Sequence, residues 1–176
     1  KSELLDMSQM FAHLMEGKAQ SFYEAVETVY LVHLLMMIES NGHSFSFGRF
    51  DQYMWPYYEK DRANGMLSKE KALELITHFF IMTNSLNKVR PWDHTQYSGG
   101  YPLYSNLMVG GMKPDGGDGT NDLSYLCLEA MALTGLPEPN LSARFFAGSD
   151  HAFMKDVARL IRKGFGMPSI FCDEVC

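Results

Sequence analysis

Apolar residues recur at helical spacing through the first half of the chain. Leu4, Leu5, Met7, Phe11, Leu14 and Met15 mark one face of a helix over 3–16, which Gly17 ends. Ser21 and Glu24 form a capping-box pair, so a second helix is predicted over Phe22–Ser40. Its C-terminal half is apolar nearly all round, apart from His33, which implies burial on most sides and needs more protein than 176 residues easily supply. Asn41-Gly42 stops it. Residues 43–47 (HSFSF) then alternate polar with aromatic, the period of a strand or extended segment. A short helix over 51–63, interrupted by Pro56, and a helix over 69–86 capped by Ser68 follow. The latter buries Leu73, Ile76, Phe79, Phe80 and Leu86.

The period changes after residue 87. Residues 87–102 read as loop, with Pro91, Trp92, His94 and paired glycines. Beyond them come a strand over 103–109, a helix over 121–134, a strand over 141–146, a helix from the Ser149 or Asp150 cap to 163, and a strand over 168–171. This βαβαβ order argues for a parallel sheet with helical crossovers. The chain thus divides into a mainly helical part, 1–87, and a βαβαβ part, 88–176, within one α/β unit.

Composition narrows the function classes. An apolar content of 46%, with 13% aromatic residues, in 176 residues suits a globular fold with a sizeable core. A net charge of -6 without charged blocks argues against nucleic acid and acidic membrane surfaces. No apolar run is long enough to span a bilayer, and no signal peptide is recognisable. Three cysteines (Cys127, Cys172, Cys176) suggest a reducing compartment, by default the cytoplasm. The chain starts and stops inside predicted elements, so a piece of a longer polypeptide is expected.

Several candidate sites are weak. The Gly-rich segment 110–122 lacks the Gly-Lys-Ser/Thr ending of a phosphate loop and the acid order of a calcium loop. It reads as a flexible connection whose Asn121 or Asp122 caps the next helix. The histidines are scattered without ligand spacing, so no metal site is expected. Arg49 and Asp51 need partners if buried, either each other or nearby backbone.

Residues 41–56 (NGHSFSFGRFDQYMWP) resemble the glycyl radical enzymes of the pyruvate formate-lyase superfamily. So do SFYEAV at 21–26, Gly110-Gly111, DGGDGTNDL at 115–123, PNLSAR at 139–144 and GMPSIFCDEV at 166–175, in family order and along nearly the whole chain. The resemblance is to the dehydratase, decarboxylase and lyase side of that superfamily. It implies an internal fragment of a ten-stranded α/β barrel, preceded by helices. It also implies a full-length enzyme that breaks a C–C, C–O, C–N or C–S bond of a small substrate by anaerobic radical chemistry. A protein-derived glycyl radical would be installed by an activating enzyme that uses S-adenosylmethionine and an iron–sulfur cluster. The full-length protein would be a homodimer.

The same resemblance places the thiyl cysteine and the radical glycine beyond residue 176, which leaves this chain inactive on its own. Cys172 stands where relatives carry Asn and is not the thiyl residue. Ser44, His43 and Tyr104 fall where the family holds substrate, with Trp92 and His94 lining the entrance. Alternation along 103–107 would send Tyr104 and Asn106 to one face, so Ser44 and Tyr104 are expected in a shared pocket with His43 at its edge. The rival reading is a non-catalytic scaffold, a degenerate barrel half that acts only by association.

Overall fold

A computed structural model describes residues 2–40, 44–86, 88–97 and 103–175. The chain opens with two helices, α1 (Ser2–Glu16) and α2 (Phe22–Ser40). The α1 turn closes where the Gly17 amide donates to the His13 carbonyl, 3.0 Å away. The Ser21–Glu24 capping box is present: the Glu24 amide donates to Ser21 Oγ (3.2 Å) and the Ser21 amide to Glu24 Oε2 (3.3 Å).

Next come β1 (Gly48–Arg49), α3 (Phe50–Tyr53), α4 (Trp55–Ala63), α5 (Lys69–Asn84) and α6 (Trp92–Tyr97). Pro56 therefore does not interrupt one helix. It sits in the first turn of α4, where its missing N–H leaves no helical bond unmade. Ser68 caps α5 by accepting from the Lys71 amide, 3.0 Å away. The segment read as loop over 87–102 contains α6, a single exposed turn and a half that no apolar periodicity announces.

The remainder is β2 (Asn106–Gly110), α7 (Asp122–Thr134), β3 (Asn140–Phe145), α8 (His151–Ile161) and β4 (Ser169–Cys172). All four strands pair in parallel, in the order β1-β2-β3-β4. The βαβαβ series is thus as predicted, and Gly48–Arg49 from the extended run adds a short strand beside β2. In register, Gly48 faces Leu107, Leu107 faces Leu141 and Ala143 faces Ile170. Leu107, Val109, Leu141 and Ala143 are fully buried and meet Leu123, Leu126 and Met131 of α7 and Phe153 and Val157 of α8 in one core.

The aromatic part of that core joins the helical half to the sheet. Phe79 of α5 stacks on Phe50 at 5.3 Å and takes Phe47 edge-on at 4.8 Å. Such pairs add about 0.5–1.5 kcal/mol each beyond the area they bury. The apolar second half of α2 asks for more cover than this chain supplies. The C-terminal half of α2 is not enclosed: Val32, Leu35, Met36 and Ile38 lie exposed, because the elements of this chain cover only one side of the helix.

Candidate active site

Ser44 and Tyr104 lie side by side at the N-terminal ends of β1 and β2. The Ser44 amide donates to the Leu103 carbonyl at 2.8 Å, and the Phe47 amide to the Asn106 carbonyl at 2.7 Å. The extended run 44–47 therefore continues the β1–β2 pairing outward. Burial alternates as expected along the second segment, with Leu103, Ser105 and Leu107 buried, Tyr104 exposed and Asn106 half-buried, but the strand expected from residue 103 starts only at Asn106, and Tyr104 before it is not extended.

Among the described residues, Ser44 (φ 65°) and Tyr104 (φ 54°) are the two non-glycine positions with positive φ. A left-handed L-residue costs roughly 1–2 kcal/mol. Such conformations persist only where surrounding structure over-determines them, and they gather at functional sites. One backbone hydrogen bond, from the Ser44 amide to the Leu103 carbonyl, thus ties left-handed Ser44 to the peptide that leads into left-handed Tyr104. His43 lies outside the described residues. Trp92 and His94 are exposed on α6, where His94 Nδ1 lies 3.2 Å from Arg90 Nη1.

Beneath Tyr104 is a layer of polar groups with no local signal in the sequence. The Glu138 carboxylate is buried and takes three consecutive amides: Leu103 (2.9 Å) and Tyr104 (2.7 Å) on Oε1, Ser105 (3.1 Å) on Oε2. Ser105 Oγ in turn lies 3.3 Å from Nε2 of His33. His33, the polar exception in the apolar half of α2, is buried against the Phe47 ring at 4.2 Å. Burial, with Lys88 nearby, lowers its pKa to about 4, so the ring is neutral at pH 7. Its isolation in an apolar run was the one available clue to His33. Glu138 gave none, because its partners lie more than thirty residues upstream.

The opposite, C-terminal ends of the strands are fastened by ionised and polar groups. Arg49 and Asp51 turn to backbone rather than to each other. The Arg49 guanidinium donates to the carbonyls of Gly110 and Met112, each at 2.8 Å. Asp51 Oδ2 accepts from the Gly110 amide (2.7 Å) and from Ser124 Oγ (2.5 Å). Burial pushes the Asp51 carboxyl up, partly offset by the Ser124 hydroxyl and the Gly110 amide.

Asp173 accepts from Met112 N and Arg144 Nε, both at 2.6 Å. Burial raises its pKa, but the Met112 amide and the Arg144 guanidinium outweigh burial and hold it below the usual carboxylate range. A side chain at Gly111 would strike Asp173 Oδ2 at 2.7 Å, so the close approach needs glycine there. The Gly-rich segment is therefore a pinned turn rather than a flexible connection. Asn121 rather than Asp122 caps α7, accepting from the Leu123 (2.9 Å) and Ser124 (3.3 Å) amides.

Two clefts, of about 960 and 590 Å³, lie elsewhere, among α1, α2 and the helices that follow. They are mainly apolar, and neither is lined by Ser44 or Tyr104. Cys127 is fully buried, which pushes its thiol well up and keeps it unreactive. Cys172 is on β4, extended rather than helical. No described helix is long and apolar enough to cross a membrane.

A parallel βαβαβ sheet with these motifs defines an α/β-barrel portion of the glycyl radical class. Residues 1–176 match the pyruvate formate lyase-like family model, and the chain belongs to that family. It is similar to a probable dehydratase of Escherichia coli (strain K12), YbiW, at 38% identity over 99% of this chain and 22% of that protein. Among solved structures it is similar to the glycerol-bound form of the B12-independent glycerol dehydratase from Clostridium butyricum. That likeness has 46% identity and a TM-score of 0.85, covering 89% of this chain and 20% of the other. A structure concerned with 1,2-propanediol dehydration in Roseburia inulinivorans shares 44% identity with a TM-score of 0.95, covering 99% of this chain and 22% of the other. The chain spans about a fifth of the length of these relatives.

Proposed function

We propose that this chain is part of a glycyl radical dehydratase, and that it contributes one wall of the cavity in which a small polyol loses a hydroxyl group. The observation that carries this reading is the pairing of Ser44 with Tyr104. Two non-glycine residues are held left-handed and adjacent at strand ends, with polar side chains at the sheet's N-terminal edge. The similarity to the glycerol dehydratase and to the 1,2-propanediol structure supports a vicinal hydroxyl substrate.

In this reading the Ser44 hydroxyl and the Tyr104 phenol orient substrate hydroxyls in a shared pocket, with His43 at its edge and Trp92 and His94 at the entrance. Tyr104 also offers a ring face to the carbon skeleton. Fixing the substrate relative to the hydrogen-abstracting group turns an encounter into a near-unimolecular step. The radical itself belongs to residues of the whole enzyme outside this chain. It would be installed by an activating enzyme using S-adenosylmethionine and an iron–sulfur cluster, in a cytoplasmic, homodimeric protein.

The test uses the full-length enzyme, activated anaerobically and given 1,2-propanediol or glycerol. Propanal and water, or 3-hydroxypropanal and water, are the expected products, alongside a glycyl radical doublet in electron paramagnetic resonance. Ser44→Ala should raise KM while leaving the radical signal intact, by about 1–3 kcal/mol of lost hydrogen bonding, or about 5- to 150-fold. A radical without aldehyde from either substrate would overturn the polyol reading. No radical at all would support the scaffold alternative.

A further inference from the structure

We propose that Glu138 is a positioning residue for substrate recognition, setting the conformation from which Tyr104 presents its side chain. The inference rests on the reading of Tyr104 as a substrate contact. In an extended strand, successive amides point to opposite sides, so Tyr104 N–H would face away from those of Leu103 and Ser105. Here all three converge on one carboxylate, at 2.9, 2.7 and 3.1 Å. Outside a helix start, a left-handed residue in an otherwise extended run turns consecutive amides to one side and makes a concave anion-binding nest. Tyr104, with φ 54°, is that residue.

The nest's anion is supplied from inside the protein. Glu138 is 5% exposed, in the loop that leads into β3, and the Asn140 amide donates to the Ser105 carbonyl at 3.1 Å. Ionised acceptors make shorter and stronger bonds to amides than neutral ones. The carboxylate thus stabilises a backbone turn that a tyrosine would otherwise leave. Leu103 is held from the other side as well, because its carbonyl accepts from Ser44. One peptide thereby couples the orientation of Tyr104 to the position of Ser44. Relaxing position 104 into an extended conformation would redirect its side chain and loosen that link. Glu138 would never touch substrate; it acts through Tyr104.

The test is a double-mutant cycle in the full-length activated enzyme, with glycerol as substrate. Glu138→Gln keeps the shape but puts an NH₂ group opposite an amide that needs an acceptor. The expected result is a rise in KM of about tenfold with radical yield unchanged, the equivalent of one lost hydrogen bond. Tyr104→Phe should raise KM by a similar factor. Glu138→Gln added to Tyr104→Phe should then change KM less than about twofold, since coupled residues are not additive. A general loss of structure would instead add to the Tyr104→Phe effect and lower the radical yield.

Should Glu138→Gln fail to accumulate as folded protein, Glu138→Asp, which keeps the charge but shortens the reach, is read in the same cycle. Additive effects, or a KM unchanged by both Glu138 variants while Tyr104→Phe raises it, would overturn the positioning role. A KM unchanged by Tyr104→Phe itself would overturn the reading of Tyr104 as a substrate contact, and the role of Glu138 with it.

Discussion

His33 is held neutral by burial between Ser105 and the Phe47 ring, with its pKa lowered to about 4. A free histidine takes up a proton near pH 6.5, so the unfolded chain binds more protons than the folded one between those values. Stability from this group is therefore fully present above about pH 6.5 and is lost as pH falls toward 4, by up to about 3 kcal/mol. Lys88 is the charged neighbour that adds to the effect. Urea midpoints of the full-length protein should fall on acidification, and His33→Gln should flatten part of that slope. An unchanged slope would show that the ring is solvated. At this scale the sequence was readable only where chemistry is local. Motifs pointed to Ser44 and Tyr104 as candidates, whereas Glu138 reaches its partners only once β3 has been laid beside β2. No spacing rule connects residues so far apart.

Among the elements, α7 shows how one cap fastens three parts of the fold. Asn121 accepts from the first-turn amides of the helix, and its Nδ2 donates to the Asp51 carbonyl at 3.0 Å. Ser124, one turn inside, donates to Asp51 Oδ2, which also takes the last amide of β2. Removing an N-cap acceptor costs about 1 kcal/mol, a factor of about five in local opening. In Asn121→Ala, hydrogen exchange of Leu123 and Ser124 should accelerate by about that factor, and Asn121→Asp should restore protection. Equal exchange in Ala and Asn forms would mean the helix start is fixed by Asp51 alone. Helix and strand types along the chain were legible because caps and apolar periods are sequence-local. The missed helix α6 has no buried face to leave a period, and β1 is two residues long. The pinning of the Gly-rich turn by Arg49, Gln52 and Asp173 is a tertiary matter that its composition conceals.

For the molecule as a whole, large apolar side chains are left open on the first two helices and on the last strand. Leu4, Leu5 and Met15 on α1, and Val32, Leu35 and Ile38 on α2, are each more than half exposed. On the far side of the sheet, Ile170 is 55% and Phe171 44% exposed on β4, the outermost strand of the order β1-β2-β3-β4. An exposed edge strand with apolar side chains offers unpaired amides and carbonyls to another chain, and contiguous apolar patches are rare on monomers. Both ends of the fold thus invite coverage, by helix packing at α1–α2 and by strand addition at β4. Prepared separately, the 176-residue chain should run above its 20.0 kDa mass in analytical ultracentrifugation, increasingly so with concentration. Charge at the strand edge, introduced as Ile170→Lys, should reduce association through the sheet while leaving that through the helices; Leu35→Glu should do the reverse. A monodisperse monomer with a single cooperative melt would show that α1 and α2 close over their own apolar faces, contrary to the arrangement described.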